Sequence, residues 1–128
     1  MEMVVWNPTE LVYPSSSDYV HALEVRNPAR MLFVAGTMGL DATGAPAGTL
    51  TEQLRLIWSN IRTILGSADM TVDNIARVTS YLRNAAYANE NASARVAALN
   101  GRVVPTTAIV AETLVEEWLV EIEVIAVG

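Results

Sequence analysis

One amphipathic segment constrains this chain more than any other feature. Leu50, Leu54, Ile57, Trp58, Ile61, Ile64 and Leu65 recur at the helical period, while Glu52, Gln53, Arg55, Asn60 and Arg62 fill the polar side. Thr49, three residues before Glu52, is placed for a capping box, and Gly66 for a stop. A helix with one apolar stripe must lie on another layer. Short strand-like pieces supply that layer. Residues 19–25 alternate weakly and end at Asn27-Pro28, where proline pushes the preceding residue out of the helical region. Residues 31–35 form an apolar run that ends in Gly36-Thr37-Met38-Gly39, where glycine permits close backbone approach or positive φ. Residues 41–48, with Gly44, Pro46 and Gly48, read as an exposed loop.

The second half repeats the alternation. Residues 75–82 place Ala76, Val78, Ser80 and Leu82 on one side and Ile75, Arg77, Thr79 and Tyr81 on the other. A second helix is predicted over residues 87–99, with a stripe of Ala88, Ala92, Val96 and Leu99 and a stop at Asn100-Gly101. After Pro105, two strands over 106–113 and 119–127 are predicted to form a hairpin through residues 115–118. The order is β-β-α-β-α-β-β, an α+β arrangement in one domain spanning residues 1–128. Two helices cover only one face of such a sheet. The other face, with Phe33, Tyr81, Leu119 and Ile125, cannot be wholly solvated, so a second copy of the chain is its simplest cover and a homo-oligomer is expected.

Composition narrows the chemistry. Hydrophobic residues are 52% and charged residues 17%, a globular balance. The net charge of −6 opposes binding to a phosphate backbone, so no nucleic-acid partner is expected. The chain has no Cys and no Lys, which excludes thiolate chemistry, disulfides, Schiff-base lysines and the lysine of a phosphate loop. His21 is the only histidine, so a multi-histidine metal site cannot form within one chain. The N-terminus carries Glu2 and no basic-then-apolar leader, and no apolar run nears the roughly 20 residues a bilayer span needs. The expectation is a soluble cytoplasmic protein with no membrane partner.

Carboxylates, hydroxyls, amides and Arg remain. Glu121 and Glu123 share one face of the last strand with Leu119 and Ile125, their Cα atoms roughly 7 Å apart at this spacing. A carboxylate between apolar neighbours can serve as a general acid or base, although both also fit the wet face of an antiparallel strand. Tyr19, Tyr81 and Tyr87 read as half-buried packing residues with hydroxyls to satisfy. His21 reads as structural or exposed. Gly36–Gly39 is no phosphate loop, since no Lys follows. Asn91, near the middle of the second helix, is a mediocre helix former and reads as surface filler unless it has a polar role.

Together these motifs resemble the Rid family, also called YjgF/YER057c/UK114. Residues 33–37 resemble its strand and glycine turn, and Gln53 with Trp58-Ser59-Asn60-Ile61 its first helix. Residues 71–82 are similar to its central strand, Asn91 falls at the Asn of its second helix, and Pro105 with residues 120–126 resembles its final hairpin. The resemblance implies a six-stranded mixed sheet backed by two helices on one face, a chorismate mutase-like subunit, and a homotrimeric barrel with clefts between subunits. It implies a cofactor-independent deaminase-type hydrolase that acts on C–N bonds of small imino or enamino acids. Glu121 would position the attacking water, and Tyr19, Gly36, Asn91 and Thr107 would bind substrate. One departure matters. Where the deaminase branch carries Pro-Ala-Arg-Ser, this chain reads Pro105-Thr106-Thr107-Ala108, so Thr107 stands at the Arg that clamps the substrate carboxylate. A hydroxyl offers one neutral bond in place of a bidentate charged pair. Weak turnover of such acids is therefore expected unless another Arg, from Arg30, Arg77 or Arg102, reaches the cleft. The alternative is a non-catalytic trimeric small-molecule-binding or regulatory protein.

Overall fold

A computed structural model describes all 128 residues, Met1–Gly128. Its elements are β1 Glu2–Trp6, β2 Ala22–Arg26, β3 Met31–Met38, α1 Leu50–Ser67, β4 Ile75–Leu82, α2 Ala88–Ala98, β5 Thr106–Val110 and β6 Val120–Val127. The α+β class and the two helices follow the sequence reading. The six strands divide between two sheets: a four-stranded sheet in the order β3-β6-β4-β5 and a two-stranded ribbon of β1 and β2. Strand β1 escapes the sequence reading because a lone Met-Val-Val-Trp stretch has too little alternation to declare itself. No helix is long and apolar enough to cross a membrane.

Strands β5 and β6 do not form the expected hairpin. Strand β6 lies between β3 and β4, antiparallel to both, and β5 runs parallel to β4 at the sheet edge. Strand β4, helix α2 and β5 make a crossover unit, and a crossover is what a parallel pair requires. Strand β6 takes the centre because Val120, Ile122, Val124 and Ala126 are all buried and need neighbours on both sides.

Helix α1 begins at Thr49, whose hydroxyl accepts from Glu52 N–H, the expected cap. Leu54, Ile57, Trp58, Ile61 and Leu65 pack into a core with Ile75, Val78, Leu82 and the inward residues of β6. Three elements depart from the predicted faces. Gln53 is buried rather than solvated. Its Nε2 donates to Ala47 O and Glu117 O, both at 2.8 Å, and its Oε1 accepts from Leu119 N–H at 2.9 Å, fastening the loop that leads into β6. Ile75 joins the core because a register shift between Ile75 and Arg77 swings it inward. Helix α2 buries Asn91, Arg95 and Ala98, one position off the expected alanine stripe.

The reason is Arg95, which reaches the segment before β2. Its Nη2 donates to Asp18 Oδ2 at 2.6 Å and to Asp18 O at 2.8 Å. A buried guanidinium left alone costs several kcal/mol, so this pair sets the rotation of α2. The Ser16 hydroxyl and then Arg95 hold the Asp18 carboxyl below its ordinary value of 3.8, against an opposing effect of burial. This stabilisation is present above pH 3.8 and lost as pH falls further. Asp18→Asn should lower unfolding free energy by about 1–3 kcal/mol at neutral pH. It should also flatten the acid limb, which urea melts as a function of pH will reveal; an unchanged limb would dismiss the pair.

Candidate functional site

The site begins with the two-faced character of β6. Its even residues face the helices, so Glu121, Glu123 and Ile125 face away. Pairing sets Tyr81 opposite Glu121, Thr79 opposite Glu123 and Arg77 opposite Ile125 on β4, and Thr107 of β5 beside Thr79. This face is open. Phe33 is 70% exposed on it, Met31 55% and Ile109 48%.

Glu121 rests on Gly36. The β3–β6 register shifts between Val34 and Thr37, and this bulge presents the bare Cα of Gly36 to the carboxylate. A Cβ built at Gly36 would stand 2.1 Å from Glu121 Oε2, so no other residue fits without moving the acid. Gly39 serves the packing of layers instead. A Cβ there would lie 2.5 Å from the backbone of Gln53, so its absence lets β3 close onto α1. Both glycines therefore permit close approach, and neither has positive φ.

Glu123 belongs to the same group. Its Oε1 accepts from the Tyr81 hydroxyl at 2.7 Å. That bond raises the Tyr81 pKa above its ordinary 10.0; desolvation and the charges of Glu123 and Glu121 add to the rise, and Arg77 opposes it. Tyr81 is thus a neutral donor through the physiological range. Tyr81, Glu121, Glu123, Glu112 and Thr113 line a cavity of about 340 Å³. Arg83 holds the lining residue Thr113, its Nε donating to Thr113 Oγ1 at 2.7 Å and its Nη2 to Thr113 O at 2.8 Å.

The remaining expected residues divide. Thr107 Oγ1 accepts from Arg77 Nη2 at 3.0 Å. Of the three arginines considered as substitutes, Arg77 alone meets Thr107. Arg30 donates to Ala68 O, and Arg102 to Val72 O and Ile75 O. Tyr19 lies before β2 with its ring edge-on to His21, 5.8 Å between centroids, and His21 packs likewise against Tyr13. Asn91 is 1% exposed in α2, buried rather than surface filler, and its Oδ1 has no hydrogen-bond partner. Within one protomer Gly36 and Glu121 come together, Thr107 stands with Arg77, and Tyr19 and Asn91 sit apart from both. Sequence reasoning undervalued Tyr81 and Glu123; the signal for them was their shared parity with Glu121 once β4 and β6 are paired.

No cluster of His, Cys, Asp and Glu is arranged to hold a metal ion. The arrangement offers an acid on a glycine, a neutral phenol donor on a second acid, and a guanidinium on the same face of the neighbouring strand.

Comparisons with known proteins agree with this architecture. No curated protein matches the chain. A solved structure of a Rid-family protein of unknown function, YyfB from Yersinia pestis, is 27% identical over all of both chains, with a TM-score of 0.87. A putative endoribonuclease L-PSP from Entamoeba histolytica is 25% identical, covering 99% of this chain and 100% of its own, at TM-score 0.72. Rv2704 from Mycobacterium tuberculosis, of the YjgF/YER057c/UK114 family, shares the fold at TM-score 0.68 and 22% identity, over 99% of this chain and 100% of its own. The family model described as endoribonuclease L-PSP matches residues 11–128. With that match spanning nearly the whole sequence, the chain belongs to the endoribonuclease L-PSP family, the family also called Rid or YjgF.

Proposed function

We propose that this chain is a cofactor-independent hydrolase that releases ammonia from a small imine or enamine, working as a cytoplasmic homotrimer. The observation that carries the reading is the Glu121 carboxylate, half-buried against Gly36 and held by no cation. An acid laid over the bare Cα of Gly36, on a face with apolar neighbours, is costly to keep without a use. Three copies closing over the open sheets bury Phe33, Met31 and Ile109 and form the clefts.

Glu121 accepts a proton from water as the water oxygen attacks the C=N carbon. The proton passes to the nitrogen, giving a carbinolamine. That intermediate collapses to a carbonyl and ammonia, so one water is consumed and no oxidant or cofactor is needed. An enamine is first protonated on carbon to reach the same C=N group. Tyr81 donates to Glu123 and keeps that second acid from competing for the water. Tyr19, Gly36 and Thr107 line the cleft, and Asn91 supports it from within α2. The net charge of −6, with two acids on this face, opposes RNA as the substrate despite the family's descriptive name.

Ammonia release from freshly generated iminopropanoate, measured against the uncatalysed rate, tests the reading. Glu121→Gln should lower the catalysed rate by on the order of 100-fold or more while leaving the oligomer intact. A native protein with no turnover, whose Glu121→Gln variant still binds small ligands, is instead a binding module.

The Tyr81 bond predicts a separate signature. Of the four tyrosines, one should ionise above the ordinary phenol range in an absorbance titration. Tyr81→Phe should delete that step and Glu123→Gln should move it down. Because the folded pKa is raised, stability from this bond persists below pH 10.0 and is lost as pH climbs beyond it.

A further inference from the structure

Two unpartnered groups meet on the helix layer, opposite the face that carries Glu121 and Glu123. The Thr51 hydroxyl donates to Glu90 Oε1 at 3.1 Å and joins the first turns of α1 and α2. Beyond that bridge the helices leave a groove of about 450 Å³, floored by Leu54, Trp58, Ala94 and Ala98. The small side chains of α2 leave it open. Trp58 is 3% exposed, yet its Nε1 has no acceptor. A buried indole N–H ordinarily finds one, because leaving the bond unmade is costly. Arg62, on the same groove, is the second group. Of the eight arginines it alone forms neither a hydrogen bond nor an ion pair. Its helical neighbours at three and four residues are Trp58, Ser59, Leu65 and Gly66, so α1 offers it no counter-charge. Nor does the end of α2, where the Val96 and Ala97 carbonyls already accept from Gly101 and Asn100 N–H.

We propose that this groove binds a small monocarboxylate with an apolar tail, its oxygens shared between the Arg62 guanidinium and the Trp58 indole N–H. The site is separate from the cleft chemistry proposed above and does not rest on it. Trp58 and Arg62 stand one turn apart on the same face of α1, roughly 6 Å along the axis. Helical side chains lean toward the N-terminus, so Arg62 overhangs the turn that carries Trp58. The indole nitrogen is covered. An acceptor reaches it by displacing an overlying side chain, and Arg62, exposed and bound to nothing, moves at least cost. A planar two-oxygen anion then meets both donors, and its single charge is matched by the single free cation. The tail runs along Leu54 and Ala94 toward the Thr51–Glu90 bridge. Glu90 repels an anion at that end and so fixes the direction of the ligand. Thr51 lies eleven residues before Arg62, roughly 16 Å along the helix, which limits the tail to a short chain.

Hexanoate and its neutral counterpart hexanamide test this on the native protein, by calorimetry and by the NMR signals of the three tryptophan indole N–H groups. Hexanoate should bind tighter by roughly tenfold, the scale expected for a charged over a neutral hydrogen bond in a partly open site. It should also move the Trp58 signal, assigned by elimination with Trp6→Phe and Trp118→Phe, while the Trp6 N–H, already bonded to Glu24, stays in place. Arg62→Gln should bind the two ligands alike. Ala97→Leu, at an exposed position on the groove wall, should fill the space and abolish binding of both. Absence of hexanoate binding by the native protein overturns the proposal, as does equal binding of hexanoate and hexanamide. Binding that leaves the Trp58 signal unmoved, or that survives Ala97→Leu, places the ligand elsewhere and also overturns it.

Discussion

Strand β6 must satisfy two layers at once, and the molecule is arranged around that demand. Its Val120, Ile122, Val124 and Ala126 are nearly inaccessible under the helices, while Glu121 and Glu123 stand between them on the reverse side. A one-residue slip would bury two carboxylates and expose four aliphatic side chains, a change no local adjustment could offset. Register is therefore the most strongly specified quantity in the fold. The geometry of the open face inherits that precision, because Gly36, Tyr81 and Thr79 meet the acids through the same ladder.

Buried polar side chains do the positioning that aliphatic packing cannot. Gln53 satisfies three backbone groups and so fixes the loop before β6. Arg95 ties α2 to Asp18, and Arg102 caps the carbonyls of Val72 and Ile75. Hydrogen bonds are directional where hydrophobic contacts are not, so each of these holds a segment at one angle. Together they fix the segments they touch while the apolar core supplies the stability.

The open face itself is organised by charge. Two acids lie toward one end, a guanidinium toward the other, and the Tyr81 hydroxyl donates to one of the acids, Glu123. Water reaching the face screens these charges from one another. On the other edge of this face, Thr107 of β5 accepts from the Arg77 guanidinium of β4.

Much was legible in the sequence. The period of α1, the alternation of β4 and β6, the class and the shared face of Glu121 and Glu123 all follow from local spacing, because side-chain direction repeats along helices and strands, while the family resemblance is carried by particular residue motifs. Tertiary structure decided the rest. That β6 sits between β3 and β4, that Gln53 and Arg95 point inward, that Glu121 lies on Gly36 and that Arg77 meets Thr107 all depend on partners distant in the chain. Spacing records which way a side chain points; only the assembled sheet determines what it meets there.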